Sequence, residues 1–76
     1  METSVFYLNE RWSACDCSDN PRYAEYPTLQ QAREALAKVK KSLTEGFLAG
    51  ELIEETQNSV KVMMTVNWVE HYITAE

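Results

Sequence analysis

The chain has 76 residues, 12 of them acidic and 7 basic, for a formal net charge of −5. A length of this order makes one small domain (1–76) that hides only about 60% of its unfolded surface and has little room for a deep substrate cleft. The acidic balance disfavours direct contact with nucleic acid or anionic lipid, both of which select basic surfaces, and no apolar run approaches the roughly 20 residues of a membrane span.

Taken in chain order, residues 5–8 (Val-Phe-Tyr-Leu) are strand formers. Asn9-Glu10 is read as a turn, and residues 11–17 as a second strand, with Trp12 and Ala14 on one face and Ser13, Cys15 and Cys17 on the other. Ser18-Asp19-Asn20-Pro21 is a turn, because Asp and Asn bond their own backbone and Pro presets φ. Residues 22–26 make a third, weaker strand.

A helix follows. Thr28 stands three residues before Gln31, a capping arrangement. Leu29, Ala32, Leu36, Val39 and Leu43 then recur at spacings of three and four, forming one apolar stripe. Gly46 is expected to end the helix in the left-handed conformation.

Residues 47–50 form an apolar connector ending in a second glycine, Gly50. Residues 52–56 are a strand and Gln57-Asn58-Ser59 a turn. Val60, Val62, Met64 and Val66 alternate with Lys61, Met63 and Thr65, the clearest strand pattern in the chain. For residues 67–76, Asn67-x-x-Glu70 favours a short capped helix or turn over continued strand. The fold class that results is α+β: a small antiparallel sheet in the order β-β-(β)-α-β-β, one main amphipathic helix on one face, and a short C-terminal tail.

Candidate chemistry is sparse. Cys15-Asp16-Cys17 with His71 is the only ligand-like set. Its one-residue spacing and lack of a second pair point to ordinary strand residues rather than to metal, so neither metal nor cofactor is expected. His71 is the only histidine and is expected at the surface. With no nucleophile motif and only two glycines, the chain is read as non-enzymatic. Two cysteines without a disulfide framework suggest a cytoplasmic protein.

Two charged features remain. Arg33, Lys38, Lys40 and Lys41 make a basic stripe on the helix, which could touch phosphate; a solvated helix face is the simpler reading. Glu45, Glu51, Glu54 and Glu55 fall in a stretch with no basic residue between Lys41 and Lys61. Grouped with Asp16, Asp19 and Glu25, and with Tyr23 and Tyr26 from the surplus of aromatics, they form a candidate partner-binding surface for a basic protein groove.

The expectation is therefore a protein-binding module. In gross composition only, it looks like the small inhibitors, anti-CRISPR proteins among them, that phages and mobile elements encode against nucleic-acid-handling machines. The alternatives are a nucleic-acid or regulatory module using the helix stripe, and a cysteine-based metal or redox module. An exposed strand also allows a homodimer. Leu36→Asp, which sets a charge in the middle of the apolar stripe, is expected to abolish the cooperative melt followed by circular dichroism; a melt like that of the parent would show the stripe to be misplaced.

Overall fold

The computed structural model describes residues 5–14, 19–47 and 49–76. It has strands β1 (Phe6–Trp12) and β2 (Asn20–Tyr26), the helix α1 (Leu29–Glu45), and strands β3 (Glu51–Thr56), β4 (Ser59–Met63) and β5 (Trp68–Ala75). The strands form one sheet in the order β2-β1-β5-β4-β3, with every neighbouring pair antiparallel. The architecture is thus the α+β one expected; β2 begins at Asn20, so Asn20 and Pro21 are strand rather than turn, and two elements differ more deeply from their sequence reading.

The first is at the N-terminus. Asn9-Glu10 is no turn: β1 runs straight through both residues and takes in Arg11 and Trp12, while Ser13 and Ala14 lie beyond its end. Asn9 is almost fully buried and satisfies itself inside the sheet. Its Nδ2 donates to the Tyr72 carbonyl (3.2 Å), the Thr74 hydroxyl (3.0 Å) and, more weakly, the Tyr7 carbonyl (3.4 Å), while its Oδ1 accepts from the Arg22 amide at 2.9 Å. The last bond holds an irregularity in β2. The register steps from Leu8↔Ala24 to Glu10↔Asn20, and Arg22 takes φ = 53°, a left-handed value. Asp19 anchors the start of β2 by accepting from the Trp12 amide at 2.9 Å. The proposed positions of Cys15 and Cys17 fall outside the described residues.

The second is the tail. Residues 68–75 are a strand, and not an edge one: β5 lies at the centre of the sheet, between β1 and β4. Alternation, not a cap, governs this segment. Val69, His71 and Ile73 face α1, and Trp68, Glu70, Tyr72 and Thr74 face the other way. The fourth strand is shorter than its pattern, ending at Met63, and Val66 is left exposed in the turn to β5.

The helix matches its expectation closely. The Thr28 hydroxyl accepts from the Gln31 amide at 3.1 Å, and Ala32 and Leu36 are buried. Leu36 meets Leu8, Val60, Val62 and Val69 in the core, with Trp12, Ala24, Tyr26, Ala35, Leu43, Met64 and Ile73 packed around them. Gly46 ends the helix differently from expectation. Its backbone is extended (φ −77°, ψ −177°), and its amide donates to the Ser42 carbonyl at 3.2 Å. Glycine is needed there for close approach, since a Cβ would stand 2.6 Å from that carbonyl oxygen.

Gly50 is the tighter constraint. Its amide donates to the Leu43 carbonyl at 2.7 Å, tying β3 back to the helix. A Cβ at Gly50 would lie 2.5 Å from the Met63 carbonyl oxygen and 2.7 Å from a Val62 methyl. Gly50→Ala therefore forces the β3–β4 hairpin away from the core and is expected to cost about 1–3 kcal/mol; urea unfolding of the two proteins, with equal slopes and a lowered midpoint for the variant, checks this.

Candidate functional site

Each sequence-predicted site residue can now be placed. Asp16 lies outside the described residues. Asp19, Tyr23, Glu25 and Tyr26 sit on or just before β2, at one edge of the sheet; Glu51, Glu54 and Glu55 sit on β3, at the other. Four strand spacings, roughly 19 Å, separate the two groups. The structure does not bring the carboxylates together as one surface. On β3 the register alternates: Glu54 pairs with Lys61 on the face away from the helix, and Glu55 pairs with Val60 on the helix side. There Glu55 accepts from Lys40 Nζ at 2.8 Å, and Glu54 lies 3.4 Å from Lys61 Nζ. Among the described residues Glu45 and Glu51 make no ion pair.

The basic stripe divides in the same way. Lys40 is held by Glu55, and Arg33 donates to Asn58 Oδ1 (2.9 Å) and Gln57 Oε1 (3.2 Å), fixing the β3–β4 turn to the helix. Lys38 and Lys41 remain exposed. Two of the four cations are thus engaged within the fold.

Three places on the molecule have the makings of a site. The first is a polar network that sequence reasoning missed. His71 is buried, not at the surface as expected. Its Nδ1 is 2.7 Å from the Tyr23 hydroxyl and its Nε2 is 3.6 Å from Glu10 Oε2, while Glu10 Oε1 accepts from Asn20 Nδ2 at 2.6 Å. A carboxylate can only accept, so the Nε2 side carries the ring proton and Nδ1 accepts from Tyr23. Burial lowers the His71 pKa from its ordinary 6.5, against the pull of Glu10. Burial and the Glu10 charge push Tyr23 up to about 12. The Tyr23 oxygen thus keeps its proton, and the chain of groups links β2, β5 and β1. The signal for it in the sequence is the period-two run Val69-His71-Ile73.

Above this network, Leu8, Tyr23, Tyr26 and Pro27 form one side of an open groove of about 520 Å³. Gln31, Glu34, Ala35, Lys38 and Val39, one stripe of α1, form the other.

The second place is the far end of the sheet. Phe47, Ala49, Trp12, Met64 and Thr65 line a shallow apolar depression of about 480 Å³. Phe47 is fully exposed. Glu45, one helical residue before the Gly46 stop, and Glu51, the first residue of β3, flank it in sequence. The sequence pattern of charges picks out the two glutamates; the aromatic between them becomes significant only because α1 does not reach it.

The third is the sheet face away from the helix. Arg22 lies over the Tyr7 ring (4.7 Å to the centroid), Arg11 over Tyr72 (5.4 Å) and Lys61 over Trp68 (4.4 Å). Each cation also meets a carboxylate: Arg22 with Glu76 at 3.1 Å, Arg11 with Glu70, and Lys61 with Glu54. These rings are already covered and their cations already matched, which leaves little for a nucleic-acid base or phosphate to gain. Among the described residues no cluster of three or more His, Cys, Asp or Glu could hold a metal ion, and no helix is long and apolar enough to cross a membrane.

The His71 geometry fixes a pH dependence. The folded pKa is below the unfolded one, so the unfolded chain binds more protons as pH falls through 6.5 and the fold loses stability there. Stability is expected to decline between neutrality and pH 5, and His71→Gln, which cannot titrate, is expected to flatten that part of the profile. An identical slope in the two proteins, read by urea unfolding at several pH values, would contradict the assignment.

Comparison with known protein families, curated proteins and solved structures returned no match.

Proposed function

We propose that this chain is a non-enzymatic protein-binding module, and that its contact surface is the end of the sheet around Phe47. The observation that carries the reading is a fully exposed phenylalanine beside an apolar depression, flanked in sequence by Glu45 and Glu51. An aromatic anchor with a polar rim is the usual composition of a binding hot spot. Glu45 and Glu51 are without ion-pair partners among the described residues, and no Lys or Arg falls between Lys41 and Lys61. A partner with a basic surface and an apolar pocket is the chemistry that complements this patch.

Besides Phe47, the large apolar side chains of Val66 and Ile53 are exposed, and a solitary domain would gain by covering them. Catalysis finds no support in the Tyr23–His71 pair, where the hydroxyl proton is held up to about 12.

A narrower form of the proposal is competitive occupation of a basic, nucleic-acid-binding groove, as a phage- or mobile-element-encoded inhibitor does. It rests on small size and acidity, with the cytoplasm as the setting.

The test is affinity capture with the immobilised chain, repeated with substituted forms. Phe47→Ser is expected to weaken binding by about 2 kcal/mol or more, and Glu45→Lys with Glu51→Lys to weaken it and reduce its salt dependence. Gln30→Ala, at the opposite end of α1 from the patch, is expected to bind like the parent. A partner retained equally by the Phe47 and glutamate variants would overturn the assignment of the surface.

A further inference from the structure

The first half of β2 is attached to the sheet in an unusual way. Register steps from Leu8↔Ala24 to Glu10↔Asn20, so Pro21, Arg22 and Tyr23 stand opposite Asn9 alone. A regular strand would point Tyr23 to the face opposite Ala24; the bulge turns it to the helix side instead, where its hydroxyl meets His71. Residues 20–23 are all exposed, and side-chain bonds replace the missing ladder. Asp19 accepts from the Trp12 amide (2.9 Å), Asn20 donates to Glu10 (2.6 Å), the Arg22 amide donates to Asn9 (2.9 Å) and Tyr23 donates to His71 Nδ1 (2.7 Å). The Arg22 guanidinium adds exposed contacts with Glu76 and the Tyr7 ring. Residues 24–26, by contrast, pair regularly with β1.

We propose that residues 19–23 form a strap latched by the Tyr23 hydroxyl to His71, and that protonation of His71 releases the strap while the rest of the sheet stays folded. The latch works only with a neutral ring, because Nδ1 must accept. A proton on Nδ1 sets two donors against each other across 2.7 Å. The hydroxyl can remain only by turning its own proton away, and the imidazolium is left in a site just 7% exposed. Few charges are present to compensate. From β1, Glu10 Oε2 lies 3.6 Å from Nε2. From β2 the facing group is Tyr23. On β4 the residue opposite is Val60, and Lys61 pairs with Glu70 on the other face, where Tyr72 also points. On α1, Glu34 and Lys38 line the groove beside Tyr23 and Tyr26, but neither makes an ion pair with the ring or with Glu10. Moving the strap hydrates the imidazolium at the least structural cost, since β2 is an edge strand and β1 keeps its pairing with β5. Release also removes the Tyr23 wall from the groove of about 520 Å³ against α1. None of this involves Phe47, so the inference stands independently of the proposed function.

Hydrogen exchange of the full chain, followed by NMR at pH 7.5, 6.5 and 5.5 and corrected for intrinsic rates, tests it. The Trp12 and Arg22 amides, bonded to Asp19 and Asn9, report on the strap; the amides of β5 report on global unfolding. Burial holds the closed-state His71 below 6.5, against the pull of Glu10. Strap protection is therefore expected to fall by up to about tenfold per pH unit below 6.5. It is expected to stay below that of β5 and to depend little on added urea. His71→Gln keeps an acceptor for Tyr23 but cannot titrate, and is expected to hold the strap closed at all three pH values. Tyr23→Phe removes the bond that favours the neutral ring. It is expected to lower strap protection roughly tenfold at pH 7.5 and to raise the pH at which the His71 ring protons titrate. Strap amides that exchange only together with β5, a parent indifferent to pH, a His71→Gln form with the parent's slope, or an unmoved His71 titration in Tyr23→Phe would each overturn the inference.

Discussion

One helix has to cover five strands. At 17 residues α1 is about 25 Å long but only about 10 Å across, whereas the sheet beneath it is roughly 19 Å wide between its outer strand axes. The helix lies over β1, β5, β4 and part of β2, and the buried core follows that footprint: Leu8, Val60, Val62 and Val69 close on Leu36. Strand β3 falls outside it, and all six of its residues are exposed. Among the described residues the opposite sheet face has no second layer. Cations laid over Tyr7, Tyr72 and Trp68 shield those rings instead. Lys and Arg stems cover aromatic surface while their charged ends stay wet, so such a face can meet water without a large apolar patch.

The same shortage of cover decides where polar groups go inside. Asn9 and His71 are the two buried polar side chains among the described residues, and each sits where strands need joining rather than where a ligand would enter. Asn9 ties β1 to β5 and to the irregular start of β2; His71 ties β5 to β2 through Tyr23 and leans on Glu10. A fully bonded polar group specifies one register against a slipped one, because a shift of one residue would strand it without partners. In a sheet whose edges carry few side-chain contacts, that restriction matters more than the modest energy of any single bond.

How much of this was legible depends on the range of the interactions. The helix was, since Thr28 and the Leu29–Leu43 stripe are local signals. The outward and inward placement of Glu54 and Glu55 was, because alternation in a strand is local too. The continuity of β1 was not: Asn9 looks like a turn residue until Tyr72, Thr74 and Arg22 are brought around it. Nor was the tail. Asn67 and Glu70 have the spacing of a cap, yet Glu70 bonds Arg11 across the sheet, and the segment is claimed by pairing on both sides. The acidic residues were visible as a list, but their division between two edges is a property of strand order. The exposure of Phe47 follows from where the helix stops, together with what the sheet fails to put beside it.

Strand order also sets the sequence of events by which the molecule is made. The centre of the sheet is the pairing of β1 with β5, in which Phe6 meets Ala75 and Trp12 meets Val69. During synthesis β1 leaves the ribosome early and then has only β2 beside it, while its other edge waits for a strand that has not yet been translated. The β1–β2 hairpin with α1, and later the β3–β4 hairpin, can form as separate pieces, but neither holds the shared core. Closure of so long a loop is slow compared with hairpin or helix formation. The inner edge of β1 therefore stays open until β5, which follows β2, α1, β3 and β4 in the chain, slides between the two halves as a keystone.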